Sequence, residues 1–177
     1  MVIILIILLL LILLQVPMIS GGRSIGRIRR AKLKDVETIK KLADKYILDV
    51  YNTELKFNKK AILEDHSIDE VKDIALDEKN PTFVYDEGGV VLGFITVFEK
   101  EKDLHAIKLF SVDQNQQGKG IGEQLMKRAL AEFKTDYYLK VNWYNPMKEQ
   151  LLKYYGKFGF VINEEKKNEW IKMVREL

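Results

Sequence analysis

The chain has no cysteine among its 177 residues. That excludes a disulfide framework, a thiolate metal site and a cysteine nucleophile, so acyl chemistry through a covalent cysteine adduct is out of reach. Histidine is almost as scarce. His66 and His105 are the whole supply and share no ligand spacing, so no metal site is expected. Charge of one sign is missing too. The net charge is +3, with lysines and acidic residues interspersed, so nothing demands a nucleic-acid surface. There is no internal repeat and no low-complexity segment outside the N-terminus.

What the chain does have is a long aliphatic start. Met1 to Leu14 is unbroken, and with one interruption at Gln15 the run reaches Ile19, with Pro17 inside it. At about 1.5 Å per helical residue this falls just short of the roughly 30 Å hydrocarbon core of a bilayer. Two readings of residues 1–22 stay open. One is membrane attachment through residues 1–19; the other is a biological start at Met18. A cleaved secretory signal fits less well, because a basic n-region and an A-x-A-like site are lacking. Arg23, Arg27, Arg29, Arg30, Lys32 and Lys34 follow the segment and favour a cytoplasmic domain if it is an anchor. Residues 23–177 then form one domain, long enough for a full core.

Periodicity lays out that domain. Ile25 to Leu33 reads as a strand, and Asp35 as the cap of a helix carrying Val36, Ile39, Leu42, Ala43, Tyr46, Ile47 and Val50. A second helix, Ser67 to Leu76, has a capping serine and Glu70 at the reciprocal box position. Strands follow at Thr82 to Asp86, Val90 to Glu99 and Leu104 to Val112, the first two joined by the turn Glu87-Gly88-Gly89. Past a helix at Gly120 to Phe133, Tyr137, Leu139, Val141 and Trp143 alternate with polar neighbours as a strand. Two closing strands lie near Phe160 to Asn163 and Trp170 to Val174.

Two motifs carry chemistry. Gln117-Gly118-Lys119-Gly120-Ile121-Gly122 joins the end of a strand to the start of a helix. Unpaired N–H groups and the macrodipole make such a helix start an anion cradle, and glycines let a phosphate approach. The run fails the dinucleotide pattern, whose third glycine would fall on Glu123, and it lacks the Gly-Lys-Ser/Thr of a nucleotide P-loop. It does fit Q-x-x-G-x-G, with Gln117, Gly120 and Gly122. Downstream, Met147, Leu151, Leu152, Tyr155 and Phe158 share a helical face, with Tyr154 expected as the exposed neighbour of Tyr155. The helix runs into Gly159-Phe160, a Y-x-x-x-G-F pattern.

Together the two patterns, with Val91-Leu92-Gly93-Phe94 in the second strand of the hairpin, resemble the GCN5-related N-acetyltransferase (GNAT) family. The resemblance spans about Ile25 to Leu177. It implies an α/β (α+β) fold with a mixed, mostly antiparallel central sheet, splayed central strands and flanking helices. It also implies acetyl-CoA as acetyl donor, and direct attack on it by an amine of a small molecule or a protein. Tyr155 takes the family's proton-donor position toward the departing thiolate, and a phenol with an ordinary pKa near 10 is protonated at neutral pH.

The resemblance assigns the pantetheine arm to the backbone of Phe110, Ser111 and Val112. The diphosphate falls to Gly118, Lys119, Gly120, Ile121 and Gly122, with Gln117 at its edge. Asn145 resembles a pantetheine-contacting asparagine of the family. Glu99, Glu101, His105 and Asp113 are candidates for the general base, which stays unassigned, as does the acceptor. A non-catalytic acyl-CoA-binding regulatory module is the alternative reading, and a homodimer is compatible with the sequence.

Overall fold

A computed structural model describes residues 26–51 and 67–177. The segment 1–22, the expected strand start at Ile25 and the connection 52–66 lie outside the described residues. Among the described residues no helix is long and apolar enough to cross a membrane.

In chain order the elements are β1 (Arg27–Arg30), α1 (Val36–Tyr51), α2 (Ile68–Leu76), β2 (Thr82–Glu87), β3 (Val90–Glu101) and β4 (Leu104–Val112). Then come α3 (Ile121–Leu130), β5 (Asp136–Asn142), α4 (Lys148–Gly156), β6 (Val161–Lys166) and β7 (Trp170–Arg175). The strands form one seven-stranded sheet in the order β1-β2-β3-β4-β5-β7-β6. Every pair is antiparallel except β4 and β5.

Each face of the sheet is packed by its own helices. On one face Leu125, Met126 and Ala129 of α3 meet Phe83, Ile95, Val97 and Ile107, continuous with Tyr137, Leu139, Val141, Ile171 and Met173; Leu151, Leu152 and Tyr155 of α4 pack against the same cluster. On the other, Val36, Ile39, Leu42 and Ala43 of α1 and Val71 and Ala75 of α2 cover Val84, Val91 and Phe94. Burying each large side chain contributes about 1.5–3 kcal/mol, which is why the helical stripes dock where they do.

Two caps behave differently. Ser67 Oγ accepts the Glu70 N–H at 3.2 Å, as expected. Asp35 does not take up the helix start in the expected way. Its carboxylate turns back to the Lys32 N–H (2.8 Å) and to the Arg29 guanidinium at 2.6 and 2.9 Å, while Leu33–Asp35 forms a 3-10 turn ahead of α1. Arg29 also donates Nε–H to Asp86 at 2.8 Å. This partly buried cation between two buried carboxylates ties β1, β2 and the start of α1 together.

Two irregularities of β4 position the site. Between Thr96↔Leu109 and Val97↔Ile107 the register slips, leaving Lys108 as an extra residue. A β-bulge of this kind inverts the alternation beyond it. Ile107, Phe110 and Val112 accordingly pack with the α3 and α4 cluster, whereas Leu109 packs with the α1 cluster and Ser111 Oγ donates to Leu42 O at 3.2 Å. The second irregularity is a split. β4 and β5 pair only at Leu104↔Asp136, His105↔Tyr137 and Ala106↔Tyr138, after which the strands part.

Candidate active site

The split opens into a cavity of about 670 Å³. Phe110, Ser111 and Val112 line it from β4, Gly118, Gly120 and Gly122 from the loop and the start of α3, and Asn145, Tyr154 and Tyr155 from beyond β5. Leu42 and Lys45 close it from α1. Past Ala106 the β5-facing edge of β4 has no strand partner, and backbone groups there need other partners.

Gly118 and Gly120 both take left-handed backbone, at φ +78° and +79°, and Gly120 is the N-cap of α3. A side chain at Gly120 would be strained by that conformation, and its Cβ would project into open space with nothing within 4 Å. Gly122 has a different reason to be small. A Cβ there would stand 3.0 Å from Tyr154 Oη and 3.2 Å from Phe110 Cζ, so the first turn of α3 comes close to both rings. The arrangement offers an anion the unpaired N–H groups of a helix start, beside the slot left where β4 and β5 part.

The remaining expected residues fall as follows. Gln117 and Ile121 line the cavity, and Gln117 Nε2–H turns back to the Val112 carbonyl at 3.2 Å, closing the loop onto β4. Lys119 does not line it; its ammonium donates to Gln116 Oε1 at 2.7 Å. Asn145 is buried, and its Oδ1 accepts the Met147 N–H at 2.8 Å, shaping the turn that launches α4. Tyr155 stands edge-to-face with Phe160 at 6.3 Å and with Tyr154 at 5.4 Å. Gly159, at φ +86°, ends the α4 segment and turns Phe160 into the core.

Of the four base candidates, the structure brings only Asp113 to the cavity, and its carboxylate accepts the Asn115 N–H at 2.8 Å. Glu99, Glu101 and His105 belong to the opposite end of the β3–β4 hairpin. His105 is stacked on Phe133 at 4.1 Å, and burial pushes its imidazole below the ordinary value against the opposing pull of Glu99 and Asp103. Glu123, which no motif singles out, lines the cavity, but its hydrogen bond with Lys127 holds its carboxyl below the usual carboxylate range.

Sequence reasoning also missed Leu42, Lys45 and Tyr154. Leu42 was legible only as part of a core stripe. Tyr154 was expected to be exposed, yet its hydroxyl is buried, because α4 lies with Tyr154 stacked toward Phe110 (6.2 Å) and edge-on to Phe158 (5.2 Å).

A family model described as an acetyltransferase (GNAT) domain matches residues 47–175. The chain belongs to the GNAT acetyltransferase family. Among solved structures, this GNAT domain is similar to the PaiA N-acetyltransferase of Thermoplasma acidophilum in complex with coenzyme A. The TM-score is 0.74 at 16% identity, over 86% of this chain and 99% of that one. It is similar also to YncA of Salmonella typhimurium with its cofactor acetyl-CoA, with a TM-score of 0.67 at 19% identity over 87% and 95% of the two chains. Ard1 of Thermoplasma volcanium matches at 25% identity with a TM-score of 0.58, over 86% and 97%. Comparison with curated proteins gives no match. The mixed, mostly antiparallel sheet with its split and flanking helices is the GNAT fold expected from the two motifs.

Proposed function

We propose that this GNAT protein transfers the acetyl group of acetyl-CoA directly to an amine, of a small molecule or a protein, with Tyr155 as proton donor to the leaving sulfur. The observation that carries the reading is that one cavity gathers the glycine cradle of α3, the unpaired edge of β4 and Tyr155. Bound acetyl-CoA supplies an activated thioester. The start of α3 holds the diphosphate through backbone N–H groups, and the Phe110 to Val112 edge pairs with the pantetheine arm. A backbone N–H there, that of Val112, polarises the thioester carbonyl. The new bond is acceptor N–C and the broken one C–S; the amine proton leaves to solvent, and Tyr155 gives its proton to sulfur. The absence of cysteine excludes a cysteine acyl-enzyme and supports direct attack. If residues 1–19 are a membrane anchor, the charged flank after residue 22 supports a domain on the cytoplasmic side, where acetyl-CoA is available.

The lack of protein thiols also makes the assay clean, since any thiol released from acetyl-CoA during an amine screen is CoA. Amine-dependent thiol release is the expected result. Tight CoA binding with no release across a broad panel of small amines and peptides would instead favour the non-catalytic binding module. Gly120→Val provides a separate check on the cradle. Calorimetry is expected to show acetyl-CoA binding weakened about tenfold or more, because valine adopts left-handed backbone poorly and its side chain projects where the diphosphate should lie. Unchanged affinity would remove the phosphate-cradle assignment.

A further inference from the structure

Three buried side-chain polar atoms among the described residues have no hydrogen-bond partner: His105 Nδ1, Thr135 Oγ1 and Tyr154 Oη. The first two lie where β4 and β5 are still paired, away from the split. Tyr154 alone lines the cavity. Leaving a buried hydroxyl unsatisfied is unfavourable, and groups of this kind call for a functional explanation. Its surroundings narrow the explanation. The oxygen is flanked by Gly122, in the first turn of α3, and by Phe110 on the unpaired stretch of β4, so it sits between the cradle and the strand edge.

We propose that Tyr154 is a cofactor-binding residue whose hydroxyl donates a hydrogen bond to an oxygen on the pantetheine side of the acyl-CoA diphosphate. This rests on the acetyl-CoA reading above. Gly122 belongs to the same device, since a side chain there would press on the hydroxyl and displace it from the slot. Burial, assisted by the nearby charge of Glu123, pushes the Tyr154 phenol up to about 12. It therefore stays a neutral donor across the working pH range and is a poor source of the proton that a departing thiolate takes. The two adjacent tyrosines divide the work: Tyr154 holds the ligand, Tyr155 serves the reacting sulfur.

The test compares wild type with Tyr154→Phe by calorimetry, using CoA and adenosine 3′,5′-bisphosphate, which lacks the pantetheine arm. CoA should bind about tenfold more weakly to the variant, the bisphosphate equally well to both proteins. At saturating acetyl-CoA kcat should hold while KM for acetyl-CoA rises. The ligand-free variant should melt at the same temperature as wild type or higher, because it loses an unpaired buried hydroxyl; a purely structural tyrosine would give a lower melting temperature. Equal CoA affinity in the two proteins overturns the assignment, as does an equal loss for both ligands or a lowered melting temperature. Wild type that binds no CoA overturns the acetyl-CoA reading and this inference together, so the two failures are distinguishable.

Discussion

Tyr155→Phe is expected to lower kcat about 100-fold with both substrates saturating, at the lower end of what a positioned proton donor contributes. Phenylalanine keeps the ring, and with it the edge-to-face contacts to Tyr154 and Phe160 and the packing of α4 on β5. What is lost is one hydroxyl, so the CoA dissociation constant should change little. The contrast with Tyr154→Phe is the informative part, because neighbouring phenols on one helix should fail in opposite parameters, kcat for Tyr155 and affinity for Tyr154. A loss smaller than threefold in Tyr155→Phe, measured once an accepting amine is known, would mean that sulfur gets its proton elsewhere.

The second large effect is on stability. Arg29→Ala is expected to destabilise the fold by about 3–5 kcal/mol, the usual cost of stripping one partner from a buried ionic cluster. Arg29 bonds Asp35 at 2.6 Å and Asp86 at 2.7 Å, and the two carboxylate side chains are 3% and 4% exposed, so neither can turn to water for compensation. The sign of the pH dependence follows from the carboxylates. Asp35 pays for its burial, which alone would raise its pKa, but the hydrogen bonds from Arg29 and the Lys32 N–H outweigh this and leave its carboxyl below the ordinary value. Asp86 is lowered chiefly by its hydrogen bond with Arg29. Groups lowered on folding contribute stability that is present above their unfolded pKa, about 3.9, and lost as pH falls through the folded value. Urea titrations should therefore show the wild-type advantage over Arg29→Ala at full size near pH 7 and shrinking below about pH 4. An advantage that grows on acidification would contradict this assignment of charges.

The glycine turn ahead of α3 and the tyrosine helix were legible in the sequence because both motifs encode local backbone demands. Gly120 has to be left-handed at the helix start, and Gly159 has to turn the chain after α4. The order of the strands was legible through alternation. What alternation could not show was its own interruption. The extra residue at Lys108 rotates Phe110 and Val112 onto the face opposite that expected from continuing the pattern of Ile107, and nothing local to Ile107-Lys108-Leu109 announces it. Asp35 reads locally as a simple cap because one of its true partners, the Arg29 guanidinium, comes from β1, and that cation is shared with Asp86 of β2. The base candidates on β3 and β4 were plausible by residue type and were separated from the cavity by strand length, since a hairpin puts its turn and its open end far apart. Tyr154 was missed because helical periodicity reports one buried face, whereas α4 buries a second flank against Phe110 at the mouth of the split.

That split has a mechanical consequence. β1 to β4 and β5 to β6 share three residue pairs at one end of their common seam, so the sheet behaves as two plates riveted along one corner. A ligand that runs its arm between them supplies the missing rungs and braces the plates against each other. Backbone amides on both lips of the seam should then slow their hydrogen exchange in concert when CoA binds, including those on β5, which no motif in the chain assigns to the cofactor.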